Sequence, residues 1–227
     1  MVYVQDRRAE TGALISDTFK QLAMIPRPLA IYFGAFLVLG LAADFIPIME
    51  APISLLGFVV YFVGQYFLYR ELLSANGLTF DPETKILGFF GMAFMLGAAI
   101  YFGLFFFLVP GILLGSKWIM APTYYVAEEV NVFDAVGASW KASGNNLTAL
   151  ALAFTLLFLI FVVATSVAGG ASAGAIDALT NMGSGSRGMA SISWLAMHTL
   201  PVMLMGLSVS AYLVLCDREG SLASVFE

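Results

Sequence analysis

Six long apolar runs constrain this chain more than any other feature. They cover Leu29 to Met49, Ile53 to Leu73, Ile86 to Leu108, Gly111 to Ala127, Leu147 to Val167 and Ile192 to Leu213. Each is close to the roughly 20 residues that a helix rising 1.5 Å per residue needs to cross about 30 Å of hydrocarbon. The runs are continuous rather than alternating, and an open sheet edge has no hydrogen-bonding partner in lipid, so helices are expected over strands. The expected fold is all-α: a polytopic membrane helix bundle of about six transmembrane helices. The fourth run is the shortest and is expected to tilt or to be partly re-entrant.

Composition points the same way. Hydrophobic residues make up 60% of the chain and charged residues 11%, and mean hydropathy is +0.91, whereas globular domains carry about 25% charged residues. The formal net charge of −5, with no basic stripe or interleaved aromatic platform, argues against nucleic acid as a partner. A single cysteine, Cys216, excludes an intrachain disulfide, and one histidine cannot build a multi-histidine metal site. No cofactor and no metal are expected. The adjacent Glu128 and Glu129 lack an HExxH spacing, so zincin-type chemistry is not expected either.

Two polar segments are expected to lie on the membrane surface rather than cross it. In residues 1–28, Leu14, Ile15, Phe19 and Leu22 recur at near-helical spacing opposite Ser16, Asp17, Lys20 and Gln21, which suits a short interfacial helix ended by Pro26 and Pro28. A cleaved signal peptide is the competing reading. The polar lead is too long for an ordinary n-region, so the first span is expected to stay uncleaved. In the second segment, residues 131–143, Asn131 caps an amphipathic stretch with Asp134 in its first turn and Lys141 near its end, complementing the helix dipole. Phe133, Val136, Trp140 and Lys141 make it the candidate docking helix; a plain interfacial belt around the bundle is the alternative.

Basic residues orient the bundle. Arg7, Arg8, Lys20, Arg27, Arg70, Lys85, Lys141 and Arg218 all fall on one side, and only Arg187 on the other. The positive-inside rule therefore places both termini in the cytoplasm. Domain organisation is then a cytoplasmic segment, 1–28, followed by a six-helix membrane domain, 29–227. Val109-Pro110-Gly111 is expected to be a tight outer turn. The Gly-, Ala- and Ser-rich stretch 168–191 is expected to form a long, lightly folded outer loop.

Ionisable residues at membrane depth are the places where function can hide. Asp44, Lys117 and His198 each lie about six residues from the expected outer end of a span, on the order of 9 Å deep. They form the candidate intramembrane polar cluster, with Asp44 and Lys117 as the expected ion pair and His198 as a further partner. Gly40 and Gly115 are expected to bring the helices close beside it. Two alternatives stand beside that pairing: Lys117 snorkelling to the headgroups, and a ligand or proton-handling site. Gln65, with Tyr61 and Tyr69 one turn to either side, reads as an interhelical hydrogen-bonding position.

The residues from Phe105 to Asn146 also carry a resemblance. Val109-Pro110-Gly111-Ile112, Lys117-Trp118, Ala121-Pro122, Glu129, Ala135-Val136, Ser139-Trp140 and Gly144-Asn145 are similar in order and spacing to the membrane domain of bacterial glycerophosphodiester phosphodiesterases and its stand-alone relatives. The resemblance implies a bacterial cytoplasmic (inner) membrane and a membrane domain without its enzyme, because a catalytic barrel needs about 250 residues and only Asp217 to Glu227 follow the last span. The expected function is an accessory or scaffold subunit without self-contained catalysis. It would pack against another membrane protein or another copy of the chain, and against membrane lipids, through faces such as Gly88, Gly91, Phe94, Gly97 and Gly103. The alternative, from a different class, is a transporter or lipid-handling protein with a polar intramembrane cavity.

Overall fold

The computed structural model describes residues 9–46, 48, 50–78, 86–128, 130–180 and 189–216. Helices account for nearly all of them, and no strand occurs among the described residues. In chain order they are α1 (Thr11–Ala23), α2 (Pro26–Phe45), α3 (Glu50–Ala75), α4 (Ile86–Phe106), α5 (Leu108–Trp118), α6 (Ala121–Ala127), α7 (Val132–Ala142), α8 (Leu147–Thr180) and α9 (Met189–Leu215). Four contain stretches long and apolar enough to cross a membrane: Pro26–Phe45, Ala51–Ala75, Leu147–Ser166 and Leu195–Leu215.

The centre of the bundle is α9. Of its apolar window 61% is buried, against 17 to 28% for the other three. It is flanked by α1, α2, α3, α6 and α8, and Met205, Leu207, Val209, Ala211 and Tyr212 are fully enclosed. The sequence does not distinguish this helix from its neighbours. In lipid an apolar side chain is as well solvated by acyl chains as by protein, so hydropathy carries no information about which span is innermost.

The expected surface helix at the N-terminus is a packed part of the bundle. Leu14 and Thr18 are buried, and α1 lies against α9 and α8. Close approach is possible because α9 carries Gly206 there: a Cβ at that position would sit 3.0 Å from the Thr18 carbonyl oxygen and from the side chains of Thr18 and Leu22. Phe19, on the apolar face of the same helix, is 46% exposed.

The expected turn at Val109-Pro110-Gly111 falls elsewhere. The chain reverses at Phe107, which is extended, with φ −150° and ψ 96°. Pro110 then lies in the first turn of α5, where a helix has no use for the missing N–H. Gly111 is used for contact instead, since a Cβ on Gly103 of α4 would stand 2.8 Å from the Gly111 Cα. The α4–α5 hairpin closes on this glycine pair and leaves Phe105, Phe106 and Phe107 exposed at its tip.

The expected fourth span, 111–127, is not one helix. It divides into α5 and α6 at Ile119 and Met120, because Pro122 has no N–H to bond the Trp118 carbonyl. At 11 residues, α5 is about 16 Å long and does not cross a bilayer alone.

The expected outer loop 168–191 is helical over residues 168–180, which extend α8, and over 189–191, which begin α9; 181–188 lie outside the described residues. Ala168, Ala171, Ala173, Ala175 and Ala178 are strong helix formers, and they outweigh Gly169, Gly170 and Gly174. The segment 131–143 does form the expected helix, α7. The Asn131 side-chain oxygen accepts from the Asp134 backbone N–H at 2.9 Å, as its cap chemistry requires.

Candidate functional site

The three residues expected to cluster do not converge. Lys117 lies near the end of α5, and its ammonium sits 5.1 Å from the centre of the Trp140 ring on α7. Its backbone carbonyl accepts a hydrogen bond from the Ser139 hydroxyl at 2.8 Å and a longer one from Ser143 at 3.4 Å. The reason is the shortness of α5: the ten residues from the start of α5 to Lys117 already bring the chain to α7. Helix α5 packs on α4, α7 and α8, while Asp44 is carried by α2, which packs chiefly on α9 and α3. Gly115 does permit a close helix approach, but toward Phe154 of α8, whose ring a Cβ would meet at 2.9 Å.

His198 is also displaced from its expected level. Its ring stacks on Phe36 with centroids 3.5 Å apart and an interplanar angle of 20°, and the rings of Tyr61 and Tyr32 lie 5.5 and 6.2 Å away. Phe36 is near the midpoint of α2, so Asp44, eight residues further on, is displaced by about 12 Å along the helix axis. The expected Asp44–Lys117 ion pair is therefore replaced by a cation held on an indole and a histidine held among aromatic rings. Exchanging the charges, Asp44→Lys with Lys117→Asp, is accordingly expected to give no recovery of stability over the single variants. Lys117→Met is expected to cost no more than about 1 kcal/mol in thermal or detergent unfolding, the magnitude of an exposed cation–π contact.

Of the candidate docking residues on α7, Phe133 is 79% and Trp140 46% exposed, and Lys141 is exposed as well. Val136 packs partly against the core. The opposite face, Ala135, Ser139 and Ala142, is buried. That small-residue face is what allows α7 to seat on α5 and α6.

A different site emerges on α3. Tyr61, Gln65 and Tyr69 recur every four residues and so share one helix face. They line a chamber of about 200 Å³. Its remaining walls come from α4 (Phe89, Ala93, Leu96, Gly97, Ile100), α5 (Gly115, Trp118), α6 (Pro122), α8 (Phe154, Phe158) and α9 (Leu200, Pro201, Leu204). Among the described residues that line it there is no Asp, Glu, Lys, Arg or His. Beside it, a groove of about 600 Å³ runs between α3, α4 and α9. This groove is lined by Ser54, Phe58, Phe94, Met197 and His198 among others. Chamber and groove share Tyr61, Phe62, Ala93, Gly97 and Pro201, so the two spaces adjoin. Gly97 faces open space there: a Cβ added to it would meet nothing within 4 Å.

Hydrogen bonds fix the polar groups of the chamber. The Gln65 amide N–H donates to the Tyr32 hydroxyl on α2 at 3.2 Å, which realises the interhelical bond expected of Gln65. Ser208 on α9, beside Tyr69, pairs with Thr123 of α6 at 2.6 Å. Further along the same seam, Tyr212 donates to the Glu128 carboxylate, and the Tyr124 hydroxyl and Cys216 thiol are 2.7 Å apart. This α6–α9 network closes the bundle beneath the chamber. Sequence reasoning missed it, since Tyr124, Ser208 and Tyr212 stand out only once α6 and α9 are known to be neighbours. Of its members, Glu128 carried an advance signal as a carboxylate at the edge of an apolar run.

Comparison with known proteins found no matching family model, no matching curated protein and no matching solved structure.

Proposed function

We propose that this chain is a multi-pass protein of the bacterial inner membrane that binds a lipid-like molecule within the bilayer, in the chamber between α3, α4, α8 and α9. It acts by binding and carries no self-contained catalysis. The observation that carries this reading is an apolar chamber with a few fixed polar groups, adjoining a groove between α3 and α4. Binding sites for small apolar molecules have this composition, and they occur between the helices of bundles. The reading extends the four apolar helices to six crossings, with α4 as one and α5 with α6 as the other. Both termini are then cytoplasmic, as the positive-inside rule requires. The resemblance of residues 105–146 to the membrane domain of glycerophosphodiester phosphodiesterases is consistent with a lipid ligand.

A role as accessory subunit rests on a separate observation. The α4 face bearing Leu87, Phe90 and Phe94 is exposed, and Gly91 beside it has open space. Two other glycines of the expected docking face are already occupied internally, Gly88 by Tyr125 and Gly103 by Gly111, which weakens that role relative to ligand binding.

The test is native mass spectrometry of the protein extracted gently from its own membrane, compared with Gly97→Phe. The ring of the variant enters open space, so the fold is expected to survive with an unchanged or raised unfolding midpoint. The wild-type protein is expected to retain a bound lipid-sized mass that the variant lacks. A mass retained equally by both, or by neither, counts against the chamber as the binding site.

A further inference from the structure

The chamber's own chemistry narrows what it accepts. Gln65 is 6% exposed and bonds Tyr32 through its amide N–H. Among the described residues no donor reaches its carbonyl oxygen, and the residue lines the chamber. Ser210 Oγ is the one buried side-chain polar atom without a partner among the described residues, so the Gln65 carbonyl oxygen is open to the chamber, where a ligand that supplies an O–H or N–H can pair with it. The other polar side chains among the described lining residues are Tyr61, Tyr69 and Trp118, so the amide of Gln65 is the one side-chain carbonyl acceptor among them. An ionised headgroup meets no counter-charge among the described lining residues, and a bare ion in apolar surroundings is strongly disfavoured.

We infer that the chamber selects an uncharged long-chain amphiphile with a hydroxyl headgroup, a lipid alcohol, whose O–H donates to the Gln65 carbonyl oxygen while its chain fills the apolar space toward the groove. The inference rests on the chamber being a binding site and adds the class of headgroup. Gln65 reads the headgroup, and the aromatic and aliphatic walls accept any chain of suitable length. His198 lines the adjoining groove and is not among the described residues that line the chamber.

Trp118 lines the chamber and serves as the reporter. The chain has three tryptophans, so Trp140→Phe with Trp194→Phe leaves Trp118 as the only indole. Its fluorescence is titrated, in full-length protein in nanodiscs, with three probes of equal chain length brominated on the chain: the alcohol, the methyl ester, which has no donor, and the acid at a pH where it is ionised. The alcohol is expected to reach half-maximal quenching at a concentration about three- to tenfold lower than the ester, the span one hydrogen bond provides, and lower still than the acid. Gln65→Leu is expected to remove the alcohol's advantage over the ester. The comparison with Gln65 intact needs no substitution there, so a folding defect in that variant does not blur the result. Equal quenching by alcohol and ester, abolished by Gly97→Phe, would overturn the headgroup inference and leave the chamber as a chain-binding site. Quenching by every probe that is no greater than in Gly97→Phe would overturn both.

Discussion

Tyr212→Ala is expected to lower stability by about 3–5 kcal/mol, the range for removing a large aromatic side chain from a closed core. Tyr212 is fully buried at the centre of the bundle. Its ring meets that of Tyr124 edge-on at 5.1 Å, and its hydroxyl donates to Glu128. Tyr212→Phe keeps the ring and removes only the hydroxyl. Glu128 is partly exposed, so solvent replaces the lost donor and the cost is expected to be about 1 kcal/mol. Unfolding by increasing mole fraction of dodecyl sulfate, followed by tryptophan fluorescence, measures both. Near-equal losses for the two variants would mean that the hydroxyl-to-carboxylate bond, and not packing around α9, holds α6 to the bundle.

Gly103→Leu is expected to be nearly as damaging, at about 3 kcal/mol or more. The obstruction is backbone: the added Cβ stands 2.8 Å from the Gly111 Cα and 3.2 Å from its nitrogen. No rotamer change relieves such a contact, so α4 and α5 must separate, and over-packing alone costs about 1–3 kcal/mol where side chains can still adjust. Gly97→Ala on the same helix is the control. It faces open space and gains helix propensity of somewhat under about 1 kcal/mol, so it is expected to be neutral or slightly stabilising. If both variants lost stability equally, glycine content as such, and not the Gly103–Gly111 approach, would be what the hairpin needs.

Much of the candidate site was half-legible. Tyr61, Gln65 and Tyr69 share a helix face by spacing alone, and the sequence identifies Gln65 as a hydrogen-bonding position. That the same residue also faces a chamber depends on α4, α8 and α9 standing around it. Lys117 misled for a local reason. Its depth was measured from Gly111 as though one straight span followed, whereas the turn is at Phe107 and Pro122 breaks the helix beyond it. His198 was found at membrane depth by composition, but its level was set by the stacking partner it meets, Phe36, which no rule of spacing identifies.

The sequence by itself determined that the chain is helical and built for a bilayer, because run length and continuous apolarity are properties of each segment taken alone. It also determined α7 and its Asn131 cap, since a cap is a contact between residues three apart. Tertiary structure alone decided that α9 is central, that α1 packs against it at Gly206, that Lys117 rests on Trp140, and that a chamber remains between α3, α4, α8 and α9. Those outcomes depend on the fit of side-chain shapes between helices. In a membrane, lipid and protein solvate apolar side chains alike, so hydrophobicity does not sort inner faces from outer ones, and close packing at particular glycines and rings does.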